Sequence, residues 1–121
     1  AVGIDALDAV TTGDANVAIG KSALTALNSG ANNIAIGNQA GAAITTGGSN
    51  IAIGSNALDA EDTGTQSIAI GASALTNQNF DSDVNNVCIG YEAGELITTG
   101  RWNHFIGTQA GDDFEQVENI T

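Results

Sequence analysis

Asn33-Ile34-Ala35-Ile36-Gly37 returns unchanged at Asn50-Ile51-Ala52-Ile53-Gly54, seventeen residues later. Working outward, the same phrase stands as NVAIG at 16–20, SIAIG at 67–71, NVCIG at 86–90 and NHFIG at 103–107, while Gly3 follows only Ala1 and Val2. The glycines ending these phrases are Gly3, Gly20, Gly37, Gly54, Gly71, Gly90 and Gly107, with successive spacings of 17, 17, 17, 17, 19 and 17. Three residues after each stands an alanine: Ala6, Ala23, Ala40, Ala57, Ala74, Ala93 and Ala110. Several columns held in phase along a whole chain are the mark of a repeat architecture, in which each unit buries its apolar face only against its neighbours.

The four residues before each glycine are too few for a useful helix. Their β-branched run favours a strand. In a strand, Ile34 and Ile36 share one face and Ala35 takes the other. The isoleucine before each glycine (Ile19, Ile36, Ile53, Ile70, Ile89, Ile106) is predicted to stack as an inner spine. That leaves the middle column (Ala18, Ala35, Ala52, Ala69, then Cys88 and Phe105) facing outward, as a surface for a partner chain or as a plain alanine ladder. A second strand or extended arm is predicted at Ala23–Leu27. The recurrent glycines, including a second set at Gly13, Gly30, Gly47, Gly64 and Gly100, are predicted to turn the chain at positive φ. The constant alanine marks a place where bulk is excluded, by the opposite wall or by another chain. Asn16, Asn33, Asn50, Asn86 and Asn103, with Ser67 substituting once, are predicted to form a side-chain ladder from coil to coil.

The expected fold is therefore all-β: a single domain, residues 1–121, of about seven stacked 17-residue coils joined by parallel pairing at a spacing of about 4.8 Å. Residues 1–76 form its regular body, and residues 77–121 hold an insertion and an atypical acidic, aromatic end.

Composition limits the function. The chain has 121 residues and a formal net charge of -12, with Lys21 and Arg101 its only strong cations. Phosphate recognition needs clustered Lys and Arg, so nucleic acid is an unsuitable partner, and an anionic membrane repels the chain. No apolar run is long enough to span a bilayer. Cys88 is the single cysteine, which rules out an intrachain disulfide. No Ser-His-Asp set, zinc motif or phosphate loop is recognisable, so the expected protein is not an enzyme and needs no cofactor.

The NVAIG, NIAIG and SIAIG strands with their following alanine resemble the head repeats of trimeric autotransporter adhesins. The segments NVCIGYEAGELITTG at 86–100 and HFIGTQAG at 104–111 resemble the glycine-rich repeats of trimeric phage tail fibres. The resemblance implies a left-handed parallel β-roll, a side-by-side homotrimer, and an extracellular place on a virion or bacterial surface. It also implies adjoining fibre domains and a glycan or protein receptor. A self-assembling filament of end-to-end coils is the alternative.

The pattern breaks towards the C-terminus. Residues 22–58 carry no charge, while Asp59, Glu61, Asp62, Asp81, Asp83, Asp112, Asp113, Glu115 and Glu118 follow. All aromatics lie beyond residue 79: Phe80, Tyr91, Trp102, Phe105 and Phe114. This end is either a contact surface or a cap over the last coil. Phe80, Tyr91, Arg101 and Trp102 are the candidate ligand surface. The fifth unit is two residues longer, within Asn77–Asn85. There Asp81, Asp83, Asn85 and Glu92 have calcium-loop spacing, although Asn86 stands where such loops carry glycine; the alternative is a solvated acidic loop. Thr11–Thr12, Thr45–Thr46 and Thr98–Thr99 fall in register, as an ice-binding array requires, but Asn28–Ser29, Asp62–Thr63 and Asn79–Phe80 interrupt them. Asn119-Ile120-Thr121 matches a glycosylation acceptor.

Overall fold

A computed structural model describes residues 1–113. The expectations for Phe114, Glu115, Glu118 and Asn119–Thr121 lie outside them. The described chain is a β-solenoid with one short strand per coil: β1 (Val17–Ile19), β2 (Ile34–Ile36), β3 (Ile51–Ile53), β4 (Ile68–Ile70), β5 (Val87–Ile89) and β6 (His104–Ile106). They form one parallel sheet in the order β1-β2-β3-β4-β5-β6. Pairing is in register column by column, Ala18 on Ala35, Ala35 on Ala52, and so to Cys88 on Phe105. The first copy of the repeat adds only a single bridge, Val2 to Ile19, so six strands stand where seven phrases are written.

Each strand ends at its glycine because the backbone turns there through a conformation closed to other residues. Gly20, Gly37 and Gly54 have φ of 132°, 139° and 134°. A Cβ on Gly37 would lie 2.5 Å from the carbonyl oxygen of Gly54 in the next coil. The glycine column thus answers both a positive φ and a close approach. The second set differs from expectation. Gly13, Gly30 and Gly47 are absent from the positive-φ residues, and what they provide is room: Cβ atoms there would lie 2.4, 2.1 and 2.4 Å from the next coil's carbonyl.

The predicted second strand is instead a pair of turns. Ala23 N–H bonds to Gly20 O at 3.3 Å and Leu27 N–H to Leu24 O at 3.1 Å. Two residues in each such segment take left-handed backbone, both bearing side chains in some coils, Ser22 (57°) and Leu24 (50°) in one, Asn56 (59°) and Leu58 (53°) in another, while in others the second is a glycine such as Gly41 or Gly94. A left-handed residue with a Cβ costs about 1–2 kcal/mol. Bonds to neighbouring coils offset that cost: Leu24 N–H reaches Ala40 O at 3.0 Å, and Ser22 N–H reaches back to Ile4 O at 2.8 Å.

The core reverses the predicted phase of the strand. Ala18, Ala35, Ala52, Ala69, Cys88 and Phe105 are the buried column, packed with Ala23, Leu24, Leu27, Ala40, Ile44, Ala57, Leu58, Ala74, Leu75, Ala93 and Ile97. The isoleucines do not form an inner spine. Ile19 is 42% exposed and its strand mate Val17 43%. The reason is space: the turn wall supplies Leu24 and Leu27 to the interior, so the strand wall opposite has room only for alanine. The constant alanine is small for the same cause, since Ala23, Ala40, Ala57, Ala74 and Ala93 are all buried inside the coil. Where the middle residue grows, another core residue shrinks. A Cβ on Gly94 would meet Cys88 Sγ at 2.6 Å, and one on Gly111 the Phe105 ring at 2.5 Å.

Candidate functional site

The first consequence of that reversed phase is a flat apolar face on the outside of the sheet. One column is Val17, Ile34, Ile51, Ile68 and Val87, ending in His104; the other is Ile19, Ile36, Ile53, Ile70, Ile89 and Ile106. None of these twelve side chains is buried, and Ile106 at the last strand is 74% exposed. Five spacings of about 4.8 Å make the face about 24 Å long. Parallel sheets are normally covered on both sides, and a continuous apolar surface on a protein marks a place of contact. The column argued from the sequence to face outward is thus interior, and its neighbours are the columns that face outward.

Before β1, β2, β3 and β5 an asparagine staples its coil to the next. Asn33 Oδ1 accepts Asn50 N–H at 2.9 Å, and Asn33 Nδ2 donates to Gly47 O at 2.8 Å, both in the next coil. Asn16 repeats this on Asn33 and Gly30, and Asn50 on Ser67 and Gly64. Asn86 bonds Asn103 N–H at 2.9 Å and Gly100 O at 2.7 Å. The ladder runs from side-chain amide to backbone in the next coil.

Ser67 interrupts it, and two residues that break the apolar column seven places after the strand glycine repair the break. Glu61 and Gln78 are buried where other coils place Leu27, Ile44 and Ile97. Gln78 Nε2 donates to Glu61 Oε2 at 2.8 Å and to Ser67 Oγ at 3.0 Å, while its Oε1 accepts Asn86 Nδ2 at 2.7 Å. Glu61 Oε1 also accepts the N–H of Gly64 at 2.8 Å and of Asp62 at 3.2 Å. Burial pushes the Glu61 carboxyl above its ordinary value, against the lowering effect of these bonds. The pairing of Glu61 and Gln78 with Ser67 was missed in the sequence; the signal was that the polar intruders and the serine occupy neighbouring coils.

The candidate ligand residues divide. Arg101 Cζ lies 4.3 Å from the centroid of the Trp102 ring and 5.7 Å from that of Phe80, so these three meet across two coils at the insertion. Tyr91 is not in this group. It is exposed in the turn following β5, at the opposite end of the strand, and a hydrogen bond to Glu92 raises its phenol above the ordinary value. Val84 closes the insertion from within as a buried side chain, and Asp83 bridges in parallel to Thr65.

Three of the calcium-loop residues bond to neighbouring coils. Asp81 Oδ1 accepts the Thr63 hydroxyl at 2.7 Å, Asp83 Oδ1 accepts that of Thr65 at 2.9 Å, and Glu92 Oε2 accepts Gln109 Nε2 at 2.9 Å. Asn85 holds a left-handed position at φ 54°. No group of three or more His, Cys, Asp or Glu among the described residues is placed to hold a metal ion. The threonine columns also bond along the axis, Thr11 to Asn28 and Thr45 to Asp62, side chain to side chain. Cys88 is buried, and desolvation pushes its thiol up to about 12. No helix among the described residues is long and apolar enough to cross a membrane.

No protein-family model, curated protein or solved structure matches the chain.

Proposed function

We propose that this chain is a structural and adhesive rod segment of a trimeric attachment fibre, of the phage tail-fibre or bacterial surface-adhesin kind. The observation that carries the reading is the outward Ile and Val face of the six-stranded sheet. Three copies set side by side, each turning this face to a common axis, bury the apolar columns and leave the polar turns to solvent. Burial of β-branched side chains contributes about 25 cal/mol per Å² of apolar surface. The net charge of -12 keeps the outside of such a rod soluble and turns it from anionic surfaces. The rod's work is mechanical, holding a recognition surface at a fixed distance in the extracellular medium. In this reading no step of covalent chemistry is assigned to the chain.

Light scattering of the purified chain tests this. Three times the 12.0 kDa chain mass is expected. Ile53→Lys, at the centre of the face, is expected to reduce the mass to one chain while the β-sheet circular dichroism persists. A monomeric parent chain, or a trimer indifferent to lysine at 53, sinks the reading. A mass that grows with concentration favours the end-to-end filament instead.

A further inference from the structure

Along one side of the rod a ladder of backbone bonds joins coil to coil, eight residues after each strand glycine. Thr11 N–H reaches Asn28 O at 3.0 Å, Asn28 N–H reaches Thr45 O at 2.9 Å, Thr45 N–H reaches Asp62 O at 2.9 Å, and Asn79 N–H reaches Thr98 O at 2.8 Å. Among the described residues the rung from Asp62 to Asn79 alone is absent. Asp62 N–H turns instead to Glu61 Oε1 in its own coil, at 3.2 Å. Other columns lapse at this same joint, between the coils that lead into β4 and β5. Ser67 stands where Asn33 and Asn50 each fasten two points of the next coil. A Cβ on Gly30 or Gly47 would meet the next coil's carbonyl, whereas on Gly64 the nearest atoms are those of the Glu61 carboxyl, at 2.6 Å. The bond made by the residue before the asparagine lengthens from 3.0, 2.9 and 3.2 Å at Asn32, Ser49 and Gln66 to 3.5 Å at Asn85. The strand side of the joint is complete. β4 and β5 pair over all three residues, Leu58 N–H bonds Ala74 O at 3.0 Å, and Ser73 N–H bonds Ser55 O at 2.9 Å.

We propose that this joint is a hinge in the rod: the coils before it and after it move as two bodies about the β4–β5 strand edge, and the Glu61 side chain latches the opposite side. Glu61 accepts the N–H groups of Asp62 and Gly64 in its own coil and, across the joint, Gln78 Nε2 and the Phe80 N–H. Such a latch releases by rotation of one side chain, whereas a backbone ladder requires the coil itself to unwind. Little else holds that side. Thr65 N–H bonds Ser82 O and Val84 N–H bonds Thr65 O, each at 3.2 Å, and the Thr63–Asp81 and Thr65–Asp83 pairs are exposed, where water competes for them. The insertion travels with the later coils. Asn79 N–H is tied to Thr98, Asn77 Nδ2 to Glu95 O at 2.8 Å, and the Phe80 ring lies under Arg101. Segments that open are drawn from the sparsely bonded parts of a fold, and a few residues at one place absorb the change. The hinge gives an otherwise uniform rod a single defined place to bend. It depends on bonds within one chain and stands whether the rod is made of one chain or three.

Amide-resolved hydrogen exchange of the intact chain tests the hinge. Opening frees the N–H groups of Gly64, Thr65 and Val84 together, so their protection is expected to be lower by about tenfold or more than that of Asn28, Thr45 and Ser49 in the earlier joints. Ile68 N–H, bonded to Asn86 O on the strand side at 2.8 Å, is expected to be as protected as Ile51 N–H. Glu61→Ala removes the latch and is expected to lower protection of the first three by about a further tenfold while Asn28 and Thr45 keep theirs. If that variant does not fold, the parent chain in sub-denaturing urea decides: Gly64, Thr65 and Val84 are expected to share one opening that merges with global unfolding only near the midpoint. Equal protection at every joint overturns the proposal. Fast exchange confined to the insertion, with Gly64 and Thr65 slow, makes the feature a loose loop and overturns it. Fast exchange that includes Ile68 means that whole coils part, and a Glu61→Ala effect spread evenly over all amides means that Glu61 serves global stability alone; either result overturns it too.

Discussion

Asn50 accepts the backbone N–H of Ser67 on its Oδ1 at 2.9 Å and donates from its Nδ2 to the carbonyl of Gly64 at 2.8 Å, so one side chain fastens two points of the next coil. Both recipients are buried. Asn50→Ala leaves a donor and an acceptor without partners, each costing about 1–3 kcal/mol. Chemical denaturation is expected to show a loss of about 2–4 kcal/mol. Asn50→Ser is expected to fall in the same range even though serine is native at 67, because only there do Gln78 and Glu61 supply the missing polar groups. A serine at 50 that costs nothing refutes the staple.

Gly37 combines φ 139° with the Gly54 carbonyl close above it. Gly37→Ala is expected to cost about 3 kcal/mol or more, the strain of the backbone alone accounting for about 1–3. Gly48 serves as the control. It has no positive φ, and a Cβ there stands 3.1 Å from the nearest atom, the Ala31 carbonyl oxygen. Gly48→Ala is expected to cost less than half as much by the same measurement.

Glu61 has its carboxyl raised chiefly by burial, so its protonated form is favoured more in the folded chain than in the unfolded one. The folded state then binds more protons between the two pKa values, and stability from this group is full below the ordinary glutamate value. It declines as pH rises through the folded value. The difference in stability between the parent chain and Glu61→Gln is expected to shift against the parent as pH rises from about 4 and to level off above the folded value. Unfolding midpoints for both chains at matched salt check this, and a difference independent of pH contradicts it.

Cys88 and Gly94 share one space in the core, where an added Cβ would meet the sulfur at 2.6 Å. Gly94→Ala is expected to destabilise the parent and to be better tolerated in a Cys88→Ala background. The coupling in the double-mutant cycle is expected to be about 1–2 kcal/mol, the range for residues in contact. Additive costs show that the pair does not compete. The buried thiol, held up to about 12, is expected to resist alkylation until the chain is unfolded.

The repeat was legible in the sequence because it is written in residues with narrow physical meanings. Gly37 and Gly54 are glycines for want of any residue that tolerates their φ, and Asn33 and Asn50 recur because only an amide of that length supplies an acceptor and a donor together. The phase of the strand was not legible from Ile34-Ala35-Ile36, since both faces are apolar and a three-residue strand holds too few positions to show which side is wet. The deciding information lay elsewhere in the unit. Leu24 and Leu27 fill the coil from the turn wall, and the exchanges Cys88 with Gly94 and Phe105 with Gly111 show the middle column to be the one limited by volume. The turns at Ala23–Leu27 escaped detection because Leu24 takes left-handed backbone, which no propensity assigns to leucine. For the site, the clustering of aromatics beyond residue 79 was visible, but the separation of Tyr91 from Arg101 and Trp102 depends on which end of β5 and β6 each residue occupies.

Every Asn staple and every strand pairing reaches the adjacent coil and stops there. Among the described residues no staple or strand pairing depends on how many coils there are. Length is therefore an adjustable quantity in this architecture, changed in steps of one unit. Excising residues 34–50 joins Asn33 to Ile51 and restores the phrase NIAIG at the junction. Such a chain is shorter by about 4.8 Å and otherwise keeps its columns. Evolution can thus set the reach of the rod by duplicating or losing single units, leaving the Phe80, Arg101 and Trp102 group intact at its far end.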